Sequence, residues 1–158
     1  MKALVIGYSG TIGNAVTQLL QEKGYEVIPA SRSADPGINM DDPSSIDNFF
    51  AGIDEVDAIV AVAGYTAGGP IDKLTDEQVD QSLKSKLAGQ INIVRKGLTK
   101  LRPNGVFVIT GGMLAFMSVA RNFIIRYDQC RLRCICQSRC TRSYRRPQNC
   151  YCSSSLCC

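Results

Sequence analysis

Residues 3–6 (Ala3, Leu4, Val5, Ile6) are a short, continuous apolar run that ends on the loop Gly7-Tyr8-Ser9-Gly10-Thr11-Ile12-Gly13. An apolar run without alternation reads as a strand buried on both faces, and hence as part of a parallel sheet. A helix pattern follows at once over residues 11–23. Ile12, Val16, Leu19 and Leu20 share one face, and Gly24 stands where a C-terminal cap belongs. Strand, glycine turn and helix in that order leave few architectures open, because a parallel strand reaches its neighbour only through a crossover.

The same alternation continues along the chain. Residues 26–30 read as a second strand, and 38–40 offer a short third. Residues 43–50 read as a helix with Pro43 near its start. Residues 58–63 are again continuously apolar and strand-like, and a loop rich in glycine follows over 64–73. Thr75 then opens a long helix, with Gln78 three residues on as a possible capping box. Its apolar positions (Val79, Leu83, Leu87, Ile91, Val94, Leu98, Leu101) predict one buried stripe at helical spacing. Pro103-Asn104-Gly105 reads as a turn before a buried strand over 106–109. Alternating strands and helices predict an α/β fold, a parallel sheet covered on both faces.

The glycine loop carries a specific backbone chemistry. Gly7 permits the tight turn, Gly10 removes a side chain where a pyrophosphate approaches, and Gly13 lets helix and strand pack closely. The free N–H groups at the helix start then face the phosphates. A glycine pattern alone is weak evidence; here it follows a strand and opens a helix, which is the context the motif requires.

The spacing Gly-x-x-Gly-x-x-Gly resembles the short-chain dehydrogenase/reductase superfamily. Ala61-Val62-Ala63-Gly64 is similar to that superfamily's Asn-Asn-Ala-Gly segment, which ends a strand beside the cofactor. Ser85-Lys86-Leu87-Ala88-Gly89 is similar to its motif on the fourth helix, and residues 106–112 to its fifth strand. The resemblance covers about residues 2–119. It implies a three-layer, Rossmann-like, doubly wound parallel sheet, incomplete on its C-terminal side, and an oxidoreductase acting on a carbonyl or alcohol substrate, of which this chain is expected to lack the catalytic half; a non-catalytic NAD(P)-binding protein or inactive remnant is the alternative.

The end of the second strand bears on the choice of cofactor. NAD enzymes usually place Asp or Glu there for the ribose hydroxyls, but this chain reads Ala30-Ser31-Arg32-Ser33. Arg32 is suited to a 2′-phosphate, with Ser31 and Ser33 as neutral donors, which favours NADP over NAD. The competing account of Arg32 is a solvated surface arginine. Asn39-Met40 lies where the superfamily places an Asp-hydrophobic pair against the adenine. The expected cofactor contacts are therefore Gly7, Tyr8, Ser9, Gly10, Thr11, Ile12, Gly13, Ser31, Arg32, Ser33, Asn39, Met40, Ala63 and Gly64.

The catalytic stations depart from the resemblance. The superfamily uses Ser, Tyr and Lys, often with a helix Asn, to hold the substrate oxygen and move its proton. The helix Asn position carries Lys86, the strand-five hydroxyl is Thr110, and no Tyr-x-x-x-Lys occurs in the sequence. Thr110 and Lys86 are the candidate active-site groups. A plain strand-end threonine and a solvent-reaching lysine are the alternatives.

Composition changes sharply near residue 120. Residues 1–119 contain no cysteine, with 10 Lys+Arg against 13 Asp+Glu; residues 120–158 contain eight Arg, one acid (Asp128) and all eight cysteines. The acidic first part gives no reason to expect a specific nucleic-acid partner. The cysteines (Cys130, Cys134, Cys136, Cys140, Cys150, Cys152, Cys157, Cys158) form no Cys-x-x-Cys pair, so no metal site is expected. A cysteine codon read one base later encodes Ala or Val, and CGN arginine codons become Gly, Ala, Val, Asp or Glu. Residues 122–142 are thereby compatible with an alanine-rich helix like the superfamily's fifth. We expect residues 1–119 to be the NAD(P)-binding domain and 120–158 to be out of frame; an uninterrupted frame through codon 120 in related strains would contradict this. No apolar run reaches the ~18 residues of a membrane span. No signal-peptide pattern opens the chain, so a cytoplasmic location is expected. The resemblance implies a homodimer or homotetramer paired through the fourth and fifth helices, an assembly not expected of a chain whose fifth helix is out of frame.

Overall fold

The computed structural model describes residues 1–111. The composition break, the cysteines and the expected fifth helix lie outside the described residues. β1 (Lys2–Ile6), β2 (Glu26–Ala30), β3 (Val56–Ala61) and β4 (Leu101–Ile109) form one parallel sheet in the order β2-β1-β3-β4. β1 sits between β2 and β3, with Leu4 opposite Ile28 on one side and Ile59 on the other. That position explains its unbroken apolar run: Ala3, Leu4 and Val5 are fully buried.

α1 (Thr11–Glu22) connects β1 to β2, and α2 (Pro43–Gly52) connects β2 to β3. α2 starts as the sequence predicts. Pro43 stands in its first turn, and the Asp42 carboxylate accepts from the Ser44 N–H at 2.9 Å. The long helix runs as α3 (Asp76–Ser82), a π-helical segment (Leu83–Gly89) and α4 (Gln90–Gly97). Its capping box is formed: Gln78 N–H donates to Thr75 Oγ1 at 3.3 Å, and Thr75 N–H donates to Gln78 Oε1 at 3.0 Å. The main core joins Leu4, Ile6, Ile59 and Ala61 from the sheet to Phe49 and Phe50 of α2 and Ile93 of α4. β1→β2 and β3→β4 run in opposite directions across the sheet. Right-handed crossovers therefore place α1 on the face opposite α3 and α4.

Several expectations are corrected. Residues 38–40 form no strand, because their backbone donors are spent locally. Ile38 N–H donates to Ser31 O, Asn39 N–H to Ser45 Oγ, and Asp41 N–H to Asn39 Oδ1. Ile38 and Met40 are nonetheless buried in the core. The α1 face of Ile12, Val16, Leu19 and Leu20 is only partly covered among the described residues: Ile12 and Leu19 are 61% and 52% exposed, Val16 and Leu20 are half-buried, and Gly13 is the helix's buried residue. The long helix turns a different face inward than expected. Ser82, Ser85, Gly89, Gln90, Ile93 and Gly97 are buried, whereas Val79, Leu83, Leu87, Ile91, Val94 and Leu98 are half-buried. Leu101 belongs to β4. The expected turn at Pro103-Asn104-Gly105 is a bulge within β4. There the partners of Val56 and Ala58 are Leu101 and Val106, and Asn104 adopts φ 67°.

An ion pair ties the sheet's lower end together. The Asp57 carboxylate accepts from Lys2 N–H at 2.6 Å and from Arg102 Nη1 at 3.2 Å. The Lys2 N–H, helped by Arg102 and opposed by partial desolvation, holds its carboxyl below the usual carboxylate range. The folded protein thus keeps Asp57 charged at pH values where the unfolded chain takes up a proton. This contribution is present in full above the unfolded-state pKa of about 4 and is lost as pH falls through the lower folded value. Urea-unfolding midpoints measured from pH 7 to pH 3 are expected to fall less steeply for Asp57→Asn than for the wild type.

Candidate functional site

At the carboxyl ends of the strands a cleft of about 250 Å³ opens, lined by residues of three separate segments: Ile6, Gly7 and Ser9; Ser31, Arg32, Ile38 and Met40; Ala63, Gly64 and Tyr65; Ser85 joins them from the long helix. It lies where the crossovers from β1 and β3 diverge, the topological switch point at which open α/β sheets bind ligands.

The glycine loop builds one wall. Gly7 N–H donates to Ala30 O at 2.7 Å, which draws the loop against the end of β2. Gly7 has φ 91°, and an added Cβ would lie 3.0 Å from both Ala63 Cβ and Ala63 N. Glycine is therefore required there twice, by conformation and by space. Gly13 meets the loop from the helix side: an added Cβ would collide with the Gly7 carbonyl oxygen and lie 2.7 Å from Tyr8 Cα. Gly10 differs, since its Cβ would meet nothing nearer than Gly7 O at 3.5 Å. Gly10 is also the N-cap of α1, where no side chain caps the first turn and no acid occupies it. The first-turn N–H groups and the positive end of the helix dipole are left for an anion.

The second wall comes from the β2 end. Ser31 is buried and its Oγ lies 3.3 Å from Ser33 Oγ. Arg32 lines the cleft, while its Nη2 donates to Asp41 Oδ2 at 3.2 Å. Met40 forms part of the floor. Asn39 accepts from Asp41 N–H through its Oδ1 at 3.1 Å. Of the residues expected to touch a cofactor, Gly7, Ser9, Ser31, Arg32, Met40, Ala63 and Gly64 line the cleft. Tyr8, Gly10, Thr11, Ile12, Gly13, Ser33 and Asn39 do not line it; Thr11, Ile12 and Gly13 form the first turn of α1, and the others belong to the loops beside it.

The third wall is a loop held by the long helix. Tyr65 N–H donates to Ser85 Oγ at 3.0 Å, Ala67 N–H to Ser82 Oγ at 2.9 Å, and Gln90 Nε2 to Ala63 O at 3.0 Å. Ser85 and Gln90 are five residues apart. On a regular α-helix that spacing turns side chains well away from each other. The π-helical segment Leu83–Gly89 contains Ser85 and ends one residue before Gln90; it widens the turn, so both reach the same loop. These buried polar groups, with Ile6 and Ile38, were not expected as site residues, whereas Tyr65 opens the loop 65–70 expected to border the substrate pocket. The available signal was the run of small and polar residues off the helix's apolar stripe.

The two candidate catalytic groups sit differently. Lys86 is half-buried with its stem over Gly64, whose added Cβ would lie 2.8 Å from Lys86 Cδ. Thr110 follows β4, and both its N–H and its hydroxyl donate to Ala61 O, at 3.0 and 3.3 Å. Its O–H proton is thus engaged by the neighbouring strand. Among the described residues, no group of three or more His, Cys, Asp or Glu side chains is placed to hold a metal ion, and no helix is long and apolar enough to cross a membrane.

Comparison with known proteins agrees with this geometry. The model of the NAD dependent epimerase/dehydratase family matches residues 3–109. The human Epimerase family protein SDR39U1 is 31% identical over 115 residues, which cover 72% of this chain and 37% of that protein. Its Bos taurus counterpart is 31% identical over 114 residues, with the same coverage. The chain thus spans little more than a third of the length of these curated relatives. Among solved structures, the protein lin1944 from Listeria innocua superposes with a TM-score of 0.84 at 33% identity, over 90% of this chain and 71% of that one. A small-chain dehydrogenase in complex with NADPH superposes with a TM-score of 0.82 at 22% identity, over 90% and 64% of the two chains, a likeness of fold. This chain belongs to the NAD-dependent epimerase/dehydratase family, within the short-chain dehydrogenase/reductase superfamily.

Proposed function

We propose that the cleft takes NADP(H), and that the chain is the cofactor-holding part of an oxidoreductase acting on a carbonyl or alcohol substrate. The observation that supports this most is the uncapped start of α1 at Gly10, open on its outer side and followed around the cleft by Arg32. The donor set fits a dinucleotide: backbone N–H groups for a pyrophosphate, a guanidinium for a 2′-phosphate, and no carboxylate at residues 30–33 to repel it. Gly7 to Gly13 would hold the pyrophosphate. Ser31, Arg32 and Ser33 would hold the ribose phosphate, Asn39 and Met40 the adenine, and Ala63 and Gly64 the far side. When bound, the nicotinamide supplies the hydride chemistry, and the protein's part is to orient it.

Lys86 and Thr110 are the proposed active-site groups, and the loop over residues 65–70 borders the substrate. The reading extends to a cytoplasmic protein with no specific nucleic-acid or membrane partner; pairing as a homodimer or homotetramer is proposed only for a chain with the fifth helix in frame. A second reading, a non-catalytic NAD(P)-binding protein, is favoured by the lack of any Tyr-x-x-x-Lys in the sequence. Calorimetric titration of the full chain with NADPH and NADH, followed by turnover on a panel of carbonyl compounds, separates the readings. Tighter binding of NADPH than of NADH is expected under either reading, and turnover favours the first. NADPH binding without turnover favours the second reading, and failure to bind either dinucleotide removes both.

A further inference from the structure

The contact between Arg32 and Asp41 has a chemistry of its own. The Arg32 side chain is 67% exposed, and that of Asp41 is 25% exposed. An exposed pair of this kind adds little to stability, so its consequence lies in what it does to the guanidinium. Asp41 is held in place by its N–H bond to Asn39 Oδ1. Its Oδ2 faces Arg32, while Oδ1 is buried with no hydrogen-bond partner among the described residues.

We propose that Asp41 is a specificity-setting residue that competes with a 2′-phosphate for Arg32 and so weakens the cleft's preference for NADP(H) over NAD(H). The inference rests on the reading that the cleft takes a nicotinamide dinucleotide. A guanidinium binds phosphate best through two parallel N–H groups on one edge. Nη2 belongs to both such edges, paired with Nε on one and with Nη1 on the other. Asp41 engages Nη2. Nη2 has one N–H on each edge, so an incoming 2′-phosphate displaces the carboxylate or takes the other edge of a guanidinium that Asp41 already holds, and it meets a like charge in either case. NAD(H) carries a hydroxyl at that position and meets neither obstacle.

The test measures dissociation constants for NADPH and NADH with the full chain as wild type, Asp41→Asn, Asp41→Ala, Arg32→Ala and the double variant Arg32→Ala/Asp41→Asn. Circular dichroism checks that each is folded. Either Asp41 variant is expected to bind NADPH about three- to tenfold tighter, from the loss of one nearby negative charge and the release of Arg32, with NADH changed less than twofold. In the Arg32→Ala background the gain from Asp41→Asn is expected to shrink to within twofold. An NADPH-to-NADH ratio that stays unchanged or falls in both Asp41 variants overturns the inference alone. A gain that persists in full without Arg32 also overturns it, by assigning the effect to overall charge. A wild type that binds neither dinucleotide overturns this inference and the functional reading together.

Discussion

Replacing Gly13 by alanine is expected to destabilise the protein by about 2–4 kcal/mol, where the same change in an ordinary helix interior gains roughly 1 kcal/mol. The sign reverses because of one contact. The added methyl has no room against the Gly7 carbonyl and the Tyr8 Cα, and these are backbone atoms that cannot swing aside as a flexible side chain does. Relief requires α1 to lift from β1 or the Gly7–Gly10 turn to open. That turn is fastened to β2 by the Gly7 N–H bond to Ala30 O. Dinucleotide affinity is expected to fall more than tenfold in whatever fraction remains folded, because the helix start and the loop are the same structure. Urea unfolding measures the first effect and calorimetry the second. A Gly13→Ala protein as stable as the wild type would show that the close approach is not a constraint.

The second large effect is expected from the double variant Ser82→Ala/Ser85→Ala. Ser82→Ala strands the buried Ala67 N–H at a cost of about 1–3 kcal/mol, and Ser85→Ala frees the part-buried Tyr65 N–H at a smaller cost, since water can reach it. The two effects fall on one loop. Its local opening is therefore expected to become much easier than global unfolding. Hydrogen exchange read by mass spectrometry on the peptide spanning 63–68 is expected to lose protection, while peptides from β1 keep theirs. Cofactor affinity is expected to drop as well, since Ala63, Gly64 and Tyr65 line the cleft. Unchanged exchange at Tyr65 and Ala67 would mean that the serines do not hold the loop.

The elements that were legible in the sequence are those whose cause is local. The Gly7–Gly13 turn follows from backbone space and conformation, and it stands where the pattern places it. The Thr75–Gln78 box and Pro43 mark helix starts through bonds confined to a few residues. The inward face of the long helix was not legible. A 3.6-residue period assigned the core side to the leucines and valines, but the π-helical segment shifts the phase of everything after Leu83. Close packing of helix on sheet also selects the small residues: an added Cβ at Gly97 would lie 2.7 Å from Phe107 Cε2, and one at Gly89 would lie 2.6 Å from Met40 O. Residues 38–40 misled for a related reason. Burial of Ile38 and Met40 looks the same in sequence whether the chain pairs as a strand or crosses the core as a loop. Only the destination of the backbone donors separates the two. At the site, Arg32 was legible as a cation beside the cleft, but its partner Asp41, nine residues away in a loop, was not.

The placement of β1 inside the sheet has a consequence in time. It is made before both of its neighbours, residues 26–30 and 56–61. At the usual pace of synthesis, roughly 5–20 residues per second, β3 follows it by roughly 3–11 s. A parallel strand cannot shelter itself in a hairpin meanwhile. Leu4, Val5 and Ile6, among the most completely buried of the described residues, thus wait longer for partners than residues of the other three described strands.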